Sequence, residues 1–483
     1  MTRRGTLVRR ALGGALLVLA VVLVGLGLRQ PEAAPAAAPG ATLGTPLWSL
    51  RRLPQPVIDA AGAQHLTATL AGRTNGLSSC TTVRDDTVGT DVTTAGTDVL
   101  APGSTMKLLT ATAAVAALGP DFRFATQAVA PGAVKDGTVA RLYLVGGGDP
   151  LLATPERIAA DQRDPDTAGL ASSPLATLAD RIVAAGVRQI PGGVLGVDDH
   201  YDTTRYVPAW PASVRTDIGP IGALTVNDGR AGPAGTGAAV SDPAVNAASE
   251  LSRLLAARGV TVGTAGRAEH APDGATRIAT LESPALPGVL EELLSASDNL
   301  SAEMLTRELG VHAGAGTTAR GVQAIRDELT KARVDLTGAS FIDGSGLSHD
   351  DRLTCATLLS VLGLDAQPRY APVADGLAIA GKRGTLALSL RGTHLEDNLR
   401  AKTGTLGGVS GLAGYVRSDR PLTFALLLGG GFSQNAGYAL RETMASDIAA
   451  YPAVANAASL VPGPSAPNPP IRTTACRGAE GAC

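Results

Sequence analysis

Ser104-Thr105-Met106-Lys107 opens an apolar run, residues 105–118, that has no internal Gly or Pro and ends at Gly119-Pro120. That pattern predicts a helix apolar on nearly all sides, hence buried, with a Gly-Pro stop. A spacing of three puts Ser104 and Lys107 on one face of its first turn, where hydroxyl and amine can touch. A serine hydroxyl is a poor nucleophile at neutral pH and needs an adjacent base, and a helix N-terminus favours the negative charge that develops during attack. Lysine serves as that base only if burial and a second cation lower its pKa from about 10.4 towards about 7. Alone, the pattern also describes an N-cap serine followed by an exposed lysine.

The composition sharpens the reading. Only five lysines occur, at 107, 135, 331, 382 and 402, so 36 of the 41 basic residues are arginines. A position that keeps Lys calls for what Arg cannot supply: an amine able to lose its proton, or a compact point charge. Two of the five lie in motifs. Ser297-Asp298-Asn299 follows an amphipathic stretch, residues 289–294, and precedes a second helical pattern, residues 300–309, stopped by Gly310. A turn there presents two small polar side chains to a cleft. Lys402-Thr403-Gly404-Thr405 stands at the start of a predicted strand, ahead of two apolar runs, 412–416 and 422–428, that read as an antiparallel hairpin. Such a strand edge can pair with an extended peptide, Gly404 allowing close approach and Lys402 attracting a carboxylate.

The three motifs, in this order, resemble those of the penicillin-binding proteins and serine β-lactamases. The 193 positions between Ser104 and Ser297 resemble the large insertion of the class C low-molecular-mass D-alanyl-D-alanine carboxypeptidase/endopeptidases. So do Leu118-Gly119-Pro120-Asp121, Gly146-Gly147-Gly148-Asp149-Pro150, Asp343-Gly344-Ser345-Gly346-Leu347-Ser348 and Arg383-Gly384-Thr385-Leu386. Gly103 stands where that group usually has Ala, and His349 where it often has Arg.

The resemblance implies an α/β (α+β) fold: a transpeptidase-like domain with an antiparallel central sheet, assembled from residues 46–120 and 281–460 around an insertion at 121–280. It implies a D-Ala-D-Ala carboxypeptidase that also acts as an endopeptidase on peptidoglycan stem peptides and is acylated by β-lactams. Ser104 is then the nucleophile, Lys107 its base, and Ser297 and Asn299 the proton relay and amide anchor. Lys402, Thr403, Gly404 and Thr405 hold the substrate and its terminal carboxylate. Asp149, and His349 in the place of the usual Arg, contact the substrate's diaminopimelate end. Two other readings share the motifs. A serine β-lactamase needs a device that activates the deacylating water, and no Glu-x-x-Leu-Asn stretch lies between Ser104 and Ser297. A catalytically silent wall-binding protein has no need to keep two scarce lysines.

The rest of the chain sets the compartment. Arg3, Arg4, Arg9 and Arg10 precede an uncharged run at 11–28, which reads as an export signal, either cleaved or kept as a membrane anchor, within residues 1–30. Residues 31–45 read as an Ala/Pro tether and 461–483 as a disordered tail. Cys476 and Cys483 are close enough in sequence for a local disulfide, while Cys80 and Cys355 can pair only if the fold brings their backbones together. The net charge of −2, with no basic stripe, argues against nucleic-acid binding, and the scattered six histidines imply no metal site or other cofactor.

Overall fold

A computed structural model of the chain describes residues 55–453. The export run, the tether, the tail and the Cys476/Cys483 pair lie outside the described residues. Two sheets organise the rest. The larger is built from β1 (Ser78–Asp85) and β2 (Thr90–Thr97) together with β8 (Ala378–Ile379), β9 (Leu399–Leu406), β10 (Val409–Val416) and β11 (Leu422–Gly429). Its order is β8-β9-β10-β11-β1-β2, antiparallel throughout. The smaller is built from β3 (Ala125–Ala130), β4 (Leu142–Val145), β5 (Val194–Val197), β6 (Gly266–Arg267) and β7 (Thr276–Glu282), in the order β6-β5-β4-β3-β7.

Both faces of the larger sheet are covered, which is why β11 reads as an almost unbroken apolar run rather than an alternating one. Phe424, Leu426 and Leu428 face a core shared with α1 (Gln55–Arg73) and the C-terminal helix α8 (Gln434–Ala449). Ala425 and Leu427 face the opposite core, filled by α2 (Lys107–Leu118), α5 (Asn299–His312), α6 (Thr318–Lys331) and α7 (Cys355–Leu362). The expected hairpin is β10–β11, paired in register from Val409↔Gly429 to Val416↔Leu422. The Lys-Thr-Gly stretch lies within the preceding strand, not at its start: Lys402 pairs with Ala413 and Thr405 with Ser410.

Two helix boundaries differ from expectation. The run at 105–118 begins as a 3₁₀ turn, Gly103–Met106, before the α-helix takes over at Lys107. The helix after Asn299 does not stop at Gly310 but continues to His312. Gly310 is where the 315–321 backbone approaches; a Cβ there would lie 2.5 Å from the Ala315 carbonyl oxygen. That glycine serves close packing, not termination.

The smaller sheet has a core of its own, in which Leu142 and Leu144 pack against α3 (Leu175–Ala184) and α4 (Pro243–Ala256). The chain enters and leaves it at one point, since Ser283 N–H donates to the Phe124 carbonyl at 2.9 Å and the Ser283 hydroxyl accepts from Phe124 N–H at 3.0 Å. From this region a strap, residues 200–221, lies against α5. The strap's Tyr201, Val207, Trp210, Val214 and Ile218 pack with Leu300 and Met304, and buried Arg307 pairs with Asp202 at 3.0 Å.

Cys80 of β1 and Cys355 at the start of α7 form a disulfide, with Cα atoms 5.8 Å apart and a sequence separation of 275. It ties the sheet to a helix packed on it. Replacing both cysteines by serine is expected to lower the unfolding free energy by about 2–4 kcal/mol. Denaturant unfolding reads this directly, and an unchanged midpoint would mean that packing alone constrains the loop.

Candidate active site

The Gly103–Met106 turn holds Ser104 against β9. Thr105 closes the turn on the Pro102 carbonyl through both its N–H (3.3 Å) and its hydroxyl (2.8 Å). Gly103 adopts φ +51°, and a Cβ on it would sit 2.8 Å from the Thr405 nitrogen; one on Gly404 would sit 2.5 Å from the Pro102 oxygen. Glycine on both sides lets the nucleophile turn and the strand backbone meet without side chains between them. Leu399 turns its carbonyl outward to Ala380 N–H, so by the alternation of an antiparallel strand Thr403 and Thr405 also direct their backbone groups to that outer edge. The short β8 faces only Arg400 and Ala401, so it leaves the edge from Thr403 onward without a strand partner among the described residues.

Lys107 is fully buried. Its Nζ lies 2.8 Å from Ser104 Oγ, 2.7 Å from Asn299 Oδ1 and 2.9 Å from the Ser345 carbonyl oxygen. The Asn299 amide is oriented by its Nδ2, which donates to the Asp217 carbonyl at 3.0 Å, so Oδ1 must be the atom facing the lysine. Two of the three neighbours are therefore obligate acceptors. A neutral amine has two N–H donors and one lone pair, and with the donors committed to Asn299 and Ser345 the lone pair points at the Ser104 hydroxyl. Burial pushes the amine down to about 8, partly opposed by the carboxylates of Asp298, Asp343 and Glu303.

Ser297 is held at φ +66°, a left-handed conformation unusual for serine, between a π-turn at Glu292–Ala296 and the start of α5. Its Oγ accepts from Lys402 Nζ at 2.7 Å, and the same amine donates to the Thr403 carbonyl at 3.0 Å. Lys402 is also fully buried. Burial, then the positive charges of Lys107 and Arg441, push it well below an ordinary lysine. Thr403 Oγ1 lies 3.0 Å from Thr385 Oγ1. Ser104, Ser297, Thr385, Ser389, Thr403, Thr405, Tyr438 and Arg441, with Asp166 and Glu442, line a cleft of about 350 Å³.

The structure thus gathers Ser104, Lys107, Ser297, Asn299, Lys402, Thr403, Gly404 and Thr405 into one constellation. Lys402 stands behind the cleft wall rather than in it, its amine committed to Ser297 and the Thr403 carbonyl. Asp149 and His349 are not among the residues lining the cleft. Asp149 is 1% exposed, and its Oδ1 accepts from Leu151 N–H in a local turn; burial lifts its carboxyl to about 6. His349 is exposed, and its carbonyl accepts from Arg352. Both therefore stand apart from the cleft lining in this structure, Asp149 buried with its Oδ2 unpartnered and His349 facing solvent.

Several groups carry no signal that pattern reading converts into a role. The Ser345 and Asp217 carbonyls are backbone atoms. Trp210, far from either motif in sequence, donates its indole N–H to Asp343 at 2.7 Å. Asp343 in turn accepts from Gly346 N–H (2.7 Å) and Ser348 N–H (2.8 Å), while Glu303 accepts from Gly344 (3.0 Å) and Ser345 (2.8 Å). These carboxyls shape the turn that offers the Ser345 carbonyl to Lys107. Gly346, at φ +80°, fits that turn under the nucleophile, where a Cβ would lie 1.9 Å from the Gly103 oxygen. Arg441 was one arginine among 36.

A serine whose hydroxyl meets a buried amine, beside an open strand edge, defines a serine acyl-transfer enzyme. The chain belongs to the D-Ala-D-Ala carboxypeptidase 3 (S13) family, whose model matches residues 65–236 and 230–451. It is 34% identical over 462 residues to carboxypeptidase DacB of Mycolicibacterium smegmatis, a match covering 90% of this chain and 94% of that protein. It is 35% identical over 341 residues to a carboxypeptidase of Mycobacterium tuberculosis, covering 68% and 71%. The fold matches the crystal structure of penicillin binding protein 4 of Haemophilus influenzae with a TM-score of 0.65 at 20% identity, covering 79% of this chain and 99% of that one.

Trp210→Phe keeps the ring but leaves a buried carboxyl oxygen one donor short. We expect a stability loss of about 1–3 kcal/mol and slower reaction of Ser104. Thermal unfolding and the rate of covalent labelling of Ser104 by a fluorescent penicillin check both, and unchanged labelling would separate the strap from the site.

Proposed function

We infer that the protein is a serine-type D-Ala-D-Ala carboxypeptidase acting on peptidoglycan stem peptides through an acyl-enzyme on Ser104. The observation that carries this is the Lys107 amine, whose two other neighbours accept hydrogen bonds and so direct its lone pair to the Ser104 hydroxyl. Family membership supplies the substrate class.

In the mechanism that follows, Lys107 takes the Ser104 proton as Oγ attacks the carbonyl of the penultimate D-Ala. The backbone N–H groups of Ser104 and Thr405 receive the developing oxyanion. Ser297, bonded to Lys402, gives its proton to the leaving amine and is reprotonated with the proton that Lys107 took from Ser104, so Lys107 is neutral again; the C–N bond breaks and D-Ala departs, leaving the peptide esterified to Ser104. Water then attacks the ester as Lys107 takes its proton and returns it to Ser104 Oγ, the C–O bond to the serine breaks, and the peptide leaves with a free carboxylate. Asn299 holds both Lys107 and the substrate amide. A β-lactam acylates the same serine by opening its ring, with no leaving group to depart.

The same acyl-enzyme forms whether the departing amine belongs to a free D-Ala or to the diaminopimelate of a cross-bridge, so endopeptidase activity is part of the proposal. So is action outside the cytoplasm, supported by the arginine-led apolar run at the N-terminus, as signal or anchor. Among the described residues no helix is long and apolar enough to cross a membrane.

A fluorescent penicillin is expected to label the wild-type protein stoichiometrically and Ser104→Ala not at all. Lys107→Arg keeps the charge but not the titratable amine, and should label about 10²–10⁴-fold more slowly. Normal labelling of that variant would remove Lys107 as the base.

Because the ammonium form is inactive and the amine titrates near 8, the acylation rate should rise with pH through that value, about tenfold per unit below it. Stopped-flow acylation between pH 5.5 and 9.5 tests the sign; a flat profile contradicts it. Mass spectrometry of muropeptide monomers and cross-linked dimers after incubation separates the two peptidase activities. Untouched dimers beside trimmed monomers would eliminate the endopeptidase half.

A further inference from the structure

Three carboxyls without a step in the mechanism are sealed beside the general base: Glu303 on α5, and Asp343 and Asp351 on the segment after Phe341, all at 0% exposure. Packing accounts for two of them. Asp343 takes the N–H groups of Trp210, Gly346 and Ser348. Asp351 takes the Ile342 N–H on Oδ1 at 2.8 Å, while its buried Oδ2 meets no donor. Asp343, with its three donors, is the acceptor of the pair. Asp351, pushed up to about 10 by burial and by the charge of Asp343, is the member that carries the proton.

Glu303 is held differently. Its Oε1 accepts from Gly344 N–H at 3.0 Å and from Ser345 N–H at 2.8 Å, and its buried Oε2 takes no well-formed hydrogen bond among the described residues. None of the ion pairs among the described residues includes it. Both amides belong to the turn whose Ser345 carbonyl lies 2.9 Å from Lys107 Nζ, and the Thr110 hydroxyl of α2 fixes the Gly344 carbonyl of that turn at 2.7 Å. A carboxylate buried without a cation is costly, and burial, then the charge of Asp343, lift Glu303 to about 7. A neutral amide side chain would hold the same turn without that cost. What the amide lacks is charge, and a charge develops beside this turn during the reaction, when Lys107 changes from amine to ammonium.

The other charged groups facing Glu303 and Lys107 are Asp298, Asp343, Lys402 of β9, and Arg307 farther along α5, which is paired with Asp202. Asp298 and Asp343 also favour the ammonium, but each is bonded elsewhere. Asp298 caps α5 through Ser301 N–H at 2.5 Å and faces Arg157, and Asp343 is bound to Trp210. Glu303 alone is bonded only to the turn that touches the base.

We propose that Glu303 is the positioning residue of the general base, the third member of a Ser104–Lys107–Glu303 chain. Its carboxylate holds the Ser345 carbonyl on the Lys107 amine and is the countercharge for the ammonium that forms when Lys107 takes the Ser104 proton. No proton passes to Glu303: Lys107 receives it from Ser104 and gives it on, and Glu303 stays a carboxylate throughout. The proposal rests on the reading of Lys107 as base.

Glu303→Gln keeps an oxygen for the two amides and removes the charge. Losing an anion disfavours the ammonium, so the titration midpoint of Lys107 should move to lower pH by about 1. Penicillin acylation on the alkaline plateau should slow about 3- to 30-fold as the base weakens. With only five lysines in the chain, the midpoint can be read directly by NMR of protein carrying lysine isotope-labelled at Cε, the Lys107 signal being the one missing from Lys107→Arg. Glu303→Asp keeps the charge but withdraws it from the amides; it should lose rate with a Lys107 midpoint within about 0.3 of the wild type, and it carries the test if the Gln variant does not fold. An unmoved midpoint in Glu303→Gln, whatever its rate, would overturn the proposal and leave Glu303 a turn former. A downward shift of about 1 in Glu303→Asp would overturn it too. If the wild-type protein takes up no penicillin, or Lys107→Arg labels normally, it is the reading of Lys107 as base that falls, and the proposal with it.

Discussion

The junction at Lys107 Nζ is the constraint on which the rest of the site depends. A lysine amine is a useful base near neutral pH only when its charged form is made unfavourable, and burial does that here without removing the polar partners a buried amine needs. The partners decide direction as well as stability. Two carbonyl oxygens, one from a side-chain amide and one from the backbone, can only accept, so the amine's remaining position is left for a hydroxyl that donates. Burial disfavours the ammonium form, whereas the carboxyls of Asp298, Asp343 and Glu303 favour it. The amine is poised because these influences oppose one another.

Each acceptor at that junction is held by a different part of the chain. Asn299 is the first residue of α5, which Asp298 caps, and is turned by the Asp217 carbonyl of the strap; Ser345 sits in a turn organised by Glu303 of α5 and by Asp343, which is itself held by Trp210 of the strap. The region between β3 and β7 is therefore more than a spacer that orients the cleft. Two of its groups hold the partners of the Lys107 amine, and Arg307 with Asp202, and Glu308 with His200 and Tyr201, fasten the strap along the helix that carries Asn299.

Charge explains the cleft's selectivity as geometry explains its reactivity. The open edge of β9 offers backbone groups that any extended peptide could use. What distinguishes a stem peptide's end is its carboxylate, and the Arg441 guanidinium in the cleft wall is of opposite charge. Lys402 lies behind Thr403, bonded to Ser297 and the Thr403 carbonyl, while the cleft lining presents hydroxyls, the Arg441 guanidinium and the carboxyls of Asp166 and Glu442.

The chemistry-bearing residues of the nucleophile turn, the Ser-Asp-Asn turn and the Lys-Thr-Gly strand were legible in the sequence because each is local. Three residues on a helix turn, at a loop or along a strand have a geometry that spacing alone predicts, and the scarcity of lysine pointed to the two that the structure buries beside the cleft serines. The buried helix after Ser104 and the hairpin at 409–429 were legible for the same reason, from unbroken apolar runs. What the tertiary structure decided is long-range: the Cys80–Cys355 pairing, the carbonyls of Ser345 and Asp217 at the amine, Trp210 on Asp343, and Arg441 in the cleft wall. Asp149 buried and His349 exposed, both outside the cleft lining, are likewise placements that a motif-like neighbourhood does not encode. Backbone acceptors have no residue signature, and whether an arginine is solvated or sealed beside two lysines depends on how α8 packs against β9 and β10, over separations that no local pattern encodes.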